Sequence, residues 1–136
     1  MRLGGKVSAL SGDPLDAVCT VRGLQRELRM SGLSGTPTDM GDCALLQLTG
    51  PEGQADGVLV VINTIRNQAI GRDLFTQLGC ELAACRVVVV KSSQHFHADF
   101  SKVARQVLYA SAPGSVAADF NLLPYRKVQR PKWPLH

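Results

Sequence analysis

The residues best suited to chemistry lie in one short segment, where a valine run is followed by polar side chains. Directly after valines 87–90 come Lys91, Ser92, Ser93 and, after one intervening residue, His95. An ammonium, hydroxyls and an imidazole are donors that bind a carboxylate or phosphate. If the segment joins a strand to a helix, unpaired backbone N–H groups at the helix start add to that attraction. The segment therefore predicts an anion-binding site.

The same serines also have a purely structural interpretation. Ser92 or Ser93 would be the N-cap of the following helix, which is a common use of serine at such a position. Lys91 would then be solvated, and His95 would only satisfy a backbone carbonyl. Anion site and helix cap are alternatives that the residues alone leave open.

The histidines and cysteines do not predict a metal site or a nucleophile. His95 and His97 are two residues apart, so on a helix they would diverge by about 200°. No cysteine pair has C-x-x-C spacing, and the four are Cys19, Cys43, Cys80 and Cys85. No G-x-S-x-G motif is present either. We therefore predict no catalytic residue, no metal ligand and no cofactor in this chain, and four reduced thiols.

In the first half of the chain, the elements that position this segment are predicted to be strands. Alternating or continuous apolar residues over 15–28, 42–49 and 58–64 predict three strands. Because the strands are close in sequence, we expect an antiparallel meander. Residues 30–41 contain three glycines and a proline, and they predict a long loop.

The second half has a different pattern. A short helix over 73–78 precedes a strand over 86–90, a helix over 94–105 and a strand over 106–110. A strand–helix–strand order predicts parallel crossovers. We therefore predict an α/β fold with a single mixed β-sheet. Its N-terminal half is antiparallel, its C-terminal half is parallel strand–helix–strand, and the helices pack on the sheet.

Composition predicts one folded domain over residues 1–136 that ends in an extended tail over 124–136. The net charge of +4 comes from four basic residues among the last eleven, so no nucleic-acid partner is predicted. No apolar run approaches the roughly 18 residues of a membrane helix. The N-terminus lacks the apolar stretch of a secretory signal. We therefore predict no membrane partner and a cytoplasmic location.

Motifs spread through most of the chain carry a resemblance to a known family. The matching segments are 3–6, 12–15, 41–44, 60–67, 75–79, 88–96, 113–114, 123–126 and 130–135. The most specific are K-S-S-x-H-F, which starts at Lys91, and R-P-x-x-P-L, which starts at Arg130. On these motifs the chain resembles the C-terminal domain of the microcystinase C (MlrC) family of metallopeptidase-like proteins.

The resemblance implies part of a two-domain zinc hydrolase rather than a complete enzyme. In such a protein the larger N-terminal domain is expected to bind the zinc, and that domain of the same polypeptide would be the partner of this chain. The resemblance implies that this chain supports the catalytic domain and shapes the substrate cleft. Lys91 to His95 would then face the catalytic domain. His97 stands where the family often has a basic residue, so no charge role is carried over to it.

Two other interpretations remain open at this point. One is a stand-alone module that binds a small molecule or anion at the segment from Lys91 to His95. The other is an oligomerisation domain. Because a face that normally meets a partner domain would be exposed in this chain alone, we also expect self-association as a homo-oligomer.

Overall fold

The computed structural model describes residues 1–7, 9–50, 55–111 and 119–135. The chain divides into two compact units, one formed by Ala17–Val107 and the other by Met1–Asp16 with Leu108–His136. Each unit contains one antiparallel sheet, of three strands in the first and two strands in the second.

Strands dominate the regular structure of the described residues. The strands are Arg2–Leu3 (β1), Leu15–Asp16 (β2), Cys19–Ser31 (β3), Pro37–Thr49 (β4) and Ala55–Asn63 (β5). The helices are Asp73–Thr76 (α1) and His97–Phe100 (α2), and single 3₁₀ turns lie at Ala9–Ser11, Leu33–Gly35, Leu82–Ala84 and Phe120–Leu122. In the part of the chain that the structure describes, no helix has the length and apolar character needed to span a membrane.

The three-stranded sheet has the order β3-β4-β5, and both pairs are antiparallel. The central strand β4 is apolar on both faces: Cys43 and Leu45 are buried on one face, and Leu46 is buried on the other. Adjacent residues of a strand point to opposite faces, so burial of all three side chains requires both faces of β4 to be covered. The strand order shows the antiparallel meander that the first half of the sequence predicts.

The hydrophobic core lies between one face of this sheet and the segment that contains α1. It consists of Leu28, Met30, Met40, Cys43, Leu45, Leu74, Leu78 and Cys80. The end of α1 approaches β3 very closely, because a Cβ atom on Gly23 would lie 2.3 Å from the carbonyl oxygen of Leu78. Glycine at this position thus allows the helix to seat on the sheet.

All four cysteines are free thiols in the structure. Cys43 and Cys80 belong to the core, and burial raises the pKa of both thiols. The nearby charges of Asp42 and Asp39 raise the pKa of Cys43 further, and Cys85 does the same for Cys80. These two cysteines therefore act as small protonated apolar groups rather than as nucleophiles.

The long loop predicted over residues 30–41 is wrong. β3 continues to Ser31 and β4 starts at Pro37, and these two residues pair with each other. Only the turn around Leu33–Gly35 separates the strands. Met30 and Met40 on either side of this turn are buried and hold the strands on the core.

The predicted α/β fold with a parallel strand–helix–strand half is also wrong. Every strand pair among the described residues is antiparallel. Residues 86–90 and 106–110 do not form strands, and the predicted helix over 94–105 is helical only at His97–Phe100. A helical pattern of about twelve residues is marginal without tertiary packing, and an apolar run has the same pattern whether or not its partner strand is present.

In the other unit, β1 and β2 form a two-stranded ribbon. Arg2 donates from Nε and a terminal guanidinium nitrogen to the two carboxylate oxygens of Asp16, at 2.9 and 2.8 Å. This hydrogen-bonded pair lowers the pKa of Asp16 and raises that of Arg2. At the end of the chain, Lys132 and Leu135 form an isolated antiparallel bridge, and Leu135 is buried.

Candidate functional site

An open pocket of about 360 Å³ lies in the unit formed by Ala17–Val107. Its lining side chains are Leu33, Thr36, Thr38, Asn67, Gln68, Ile70 and His95. Three segments that are far apart in the sequence therefore meet here: the β3–β4 turn, the stretch after β5, and the polar segment that follows valines 87–90 and ends at His95.

The first wall is the turn between β3 and β4. A Cβ atom on Gly32 would lie 2.1 Å from the carbonyl oxygen of Thr36 and 2.5 Å from the hydroxyl oxygen of Thr38. Only glycine permits this tight return of the chain. The turn thereby brings the hydroxyl-bearing residues Thr36 and Thr38 to the pocket.

The second wall is fixed by two carboxamides. Asn67 donates from its side-chain nitrogen to the carbonyl oxygen of Asp39 at 3.4 Å, which ties this wall to β4. The side-chain oxygen of Asn67 accepts from the backbone N–H of Gln68 at 3.0 Å. The side-chain oxygen of Gln68 accepts from the hydroxyl of Ser92 at 3.0 Å. This chain of bonds connects the first wall to the segment that contains His95.

The structure places one of the four predicted site residues, His95, in the lining of the pocket. Ser92 is half-buried and is not a lining residue, but its hydroxyl donates to the side-chain oxygen of Gln68, which is one. Lys91 and Ser93 are exposed and are not among the lining residues.

The predicted position of Ser92 and Ser93 at the start of a helix is wrong. α2 begins at His97, follows Phe96 and has no side-chain cap, so neither Ser92 nor Ser93 is its N-cap. A helix of four residues also presents too small a dipole to attract an anion. Any anion bound near His95 must be held by side chains rather than by a helix terminus.

α2 is held against the start of α1 by one carboxylate. Asp99 accepts from the backbone N–H of Arg72 at 2.8 Å and pairs with the Nε of Arg72 at 3.1 Å. Phe75 and Phe100 pack edge to face beside this pair, with ring centroids 5.9 Å apart. Burial raises the pKa of Asp99, but the bonds and charge of Arg72 and a contact from Lys102 outweigh burial and lower it overall.

Asp99→Asn should lower the free energy of unfolding by about 1–2 kcal/mol at neutral pH, because a charged hydrogen bond to Arg72 is lost. The folded-state pKa of Asp99 is lowered. Its stabilising contribution is therefore complete above the ordinary aspartate pKa of about 3.9 and is lost as the pH falls through the folded value. The difference between the two proteins should shrink in that acidic range.

Urea unfolding at neutral pH and at about pH 3 measures this difference. Asp13→Asn is the matched control, since the exposed Asp13 has no hydrogen bond or ion pair among the described residues. An equal loss of stability in the Asp99 variant at both pH values would contradict the role assigned to the carboxylate charge.

The groups that line the pocket are hydroxyl, carboxamide and imidazole side chains together with Leu33 and Ile70. Such groups donate and accept hydrogen bonds, as needed to bind a peptide group or a carboxylate. Lys91 precedes His95 by four residues in the sequence, and its cationic side chain is exposed.

Sequence patterns missed Thr36, Thr38, Asn67 and Gln68 as site residues. Thr36 and Thr38 lie within the segment predicted as a long loop, and long loops are frequently functional, so a signal for them was present. Asn67 and Gln68 lie shortly after the end of β5 at Asn63, and no local pattern connects them with His95. Only the tertiary fold shows that they share a pocket.

Comparison with known proteins gives one family and one curated relative. The family model described as the MlrC C-terminus matches residues 1–127. Microcystinase C from a Sphingomonas species is 31% identical over 134 residues. That match covers 98% of this chain and 24% of the relative, so the chain spans about a quarter of the length of the curated protein it matches.

Proposed function

We propose, since this chain belongs to the MlrC C-terminus family, that it is the accessory C-terminal domain of a larger MlrC-like hydrolase. The observation that carries the proposal is the difference in coverage: nearly all of this chain aligns with only about a quarter of Microcystinase C. The remaining part of the polypeptide would contain the catalytic centre. This chain would support that part and form one wall of the substrate cleft, in a cytoplasmic protein.

The zinc of the proposed hydrolase is assigned to the larger N-terminal part. Within residues 1–7, 9–50, 55–111 and 119–135, no three His, Cys, Asp or Glu side chains form a group that could hold a metal ion. These residues therefore do not fit a zinc site. The contribution proposed for this chain is to bind and orient the substrate.

The substrate contact is assigned to the pocket around His95 together with Lys91 and Ser93, which precede His95 in the same segment. Lys91 is exposed and has no ion-pair partner among the described residues, so its charge is available. The hydroxyls of the β3–β4 turn and the imidazole of His95 supply further hydrogen-bond donors. Ser92 orients Gln68 through its hydroxyl. This set suits an anionic part of a peptide or amide substrate, most simply a carboxylate.

Lys91→Met and His95→Ala in the full polypeptide should each raise the KM for a substrate that bears a carboxylate by about 10- to 150-fold, since a charge-assisted hydrogen bond contributes about 1.5–3 kcal/mol. The kcat should stay nearly unchanged, because these groups bind the substrate before and during reaction alike. Steady-state kinetics on a matched pair of peptides, one with a free carboxylate and one amidated, measures the effect.

The amidated peptide should be insensitive to Lys91→Met. Lys127→Met is the control variant, because Lys127 is also an exposed lysine without a partner among the described residues. Unchanged kinetics for both Lys91→Met and His95→Ala would remove the substrate-binding role from this pocket.

A further inference from the structure

The four valines at 87–90 are the most unusual apolar surface in the unit formed by Ala17–Val107. Val87 and Val89 are 77% and 85% exposed, whereas Val88 between them is 37% exposed. Val90 is half-buried. The exposure therefore alternates with a period of two, as it does along a β-strand that has one covered face.

The backbone of this run is also unpaired. Val87, Val88 and Val89 make no hydrogen bond to any other described residue, and the carbonyl oxygen of Val90 accepts only from the nearby N–H of Ser92. A segment with free N–H and C=O groups and β-branched side chains can pair with an added strand, although it forms no strand by itself.

A comparison within the chain shows what such a sequence normally does. β5 carries a similar run, and its Val60 and Val61 pair with Leu46 and Leu45 of β4. Pairing leaves these two valines only partly exposed. The run at 87–90 has the same composition but lacks the neighbouring strand.

We infer that valines 87–90 are the docking site for a β-strand of the larger N-terminal part of the same polypeptide, which adds to this edge by backbone hydrogen bonding. The inference rests on the proposed function, because it names the surface through which the accessory domain meets the rest of the protein. About three quarters of the length of the curated relative lies outside the match, so ample chain is available to supply the strand.

The charges beside the run specify the chemistry of the partner strand. Arg86 directly precedes the valines, and its side chain is exposed. An apolar strand with an acidic residue at the end that meets Arg86 would therefore complement this edge and leave Lys91 free for the substrate. A covalent connection between the two parts raises their effective concentration, so even a short added strand would stay bound.

Hydrogen exchange of the backbone amides at 87–90 tests the inference in the full polypeptide and in the 136-residue chain. Exchange should be about a hundredfold slower in the full polypeptide, where the added strand protects these amides. Val89→Lys in the full polypeptide should abolish this protection. The same substitution should also speed the amide exchange of one apolar segment in the N-terminal part, and that segment is then identified as the partner strand.

Val103→Lys is the matched control, because Val103 is also an exposed valine of this unit and should leave the protection unchanged. Equal exchange in the two proteins would overturn the inference. Protection that appears in the 136-residue chain and grows with its concentration would overturn the named occupant in favour of a second copy. Either result leaves the kinetic test at Lys91 and His95 unaffected, so the two proposals fail separately.

Discussion

Leu28→Ala should lower the free energy of unfolding of this protein by about 2–5 kcal/mol, because it removes a fully buried side chain and leaves a cavity. Leu28 is 0% exposed and lies on β3 within the main core. The surrounding residues include Met30 and Met40, which are also fully buried. A core held by strands on one side and by a single-turn helix on the other has little capacity to close around the missing atoms.

Leu24→Ala provides the matched control on the same strand. Leu24 is 75% exposed, so the same chemical change should alter the free energy of unfolding by less than about 0.5 kcal/mol. Urea unfolding followed by circular dichroism measures both. Equal effects of the two substitutions would show that β3 does not face the core as described.

Gly23→Ala should destabilise the protein by about 1–3 kcal/mol through overpacking. The added Cβ atom would lie 2.3 Å from the carbonyl oxygen of Leu78 and 3.1 Å from its carbonyl carbon. Both are backbone atoms, so relief requires the end of α1 to move away from β3. The expected result is a lower unfolding midpoint in urea.

Gly57→Ala is the control for this glycine, since a Cβ atom on Gly57 would meet nothing within 4 Å. Gly57 also lies on a strand, β5, and alanine should be tolerated there or be slightly stabilising. A Gly23→Ala protein as stable as the wild type would show that α1 does not seat on the sheet at this point.

The strands β3, β4 and β5 could be predicted because the sequence pattern that indicates each of them is local. Apolar residues on β3, β4 and β5 follow the period of two, or a continuous run on the buried strand, and neighbouring strands pair through short connections. The extent of the β3–β4 hairpin could not be predicted in the same way. Gly32 and Gly35 indicate a turn, but the pairing of Ser31 with Pro37 is set by the burial of the strands on both sides.

The prediction for the second half of the chain was wrong because an apolar pattern does not show which part of the protein covers the apolar residues. Valines 87–90 read as a buried strand, yet they are largely exposed in this chain. The apolar stripe after them reads as a helix, yet α2 has four residues and depends on Asp99 and Phe100 for its packing. Helical periodicity shows which face is apolar, but it does not show whether enough packing exists to hold the helix.

Of the candidate site, only the segment that contains His95 could be predicted from the sequence. The polar residue types after the valine run indicated His95, which lines the pocket, and Ser92, which is hydrogen-bonded to the lining residue Gln68. Thr36 and Asn67 are distant from them in the sequence, and they reach the same pocket through long-range strand pairing and the bond from Asn67 to Asp39. Contacts of this kind are a property of the fold and have no local signature.

The central claim is that this chain completes a larger hydrolase. The most direct measurement introduces a specific protease site between this domain and the N-terminal part of the full polypeptide. Activity is then assayed before cleavage, after separation of the two parts, and after recombination. Separation should lower kcat/KM by about a hundredfold or more, because the substrate cleft loses one wall, and recombination should restore it. Full activity in a separated N-terminal part that remains folded by circular dichroism would contradict the claim.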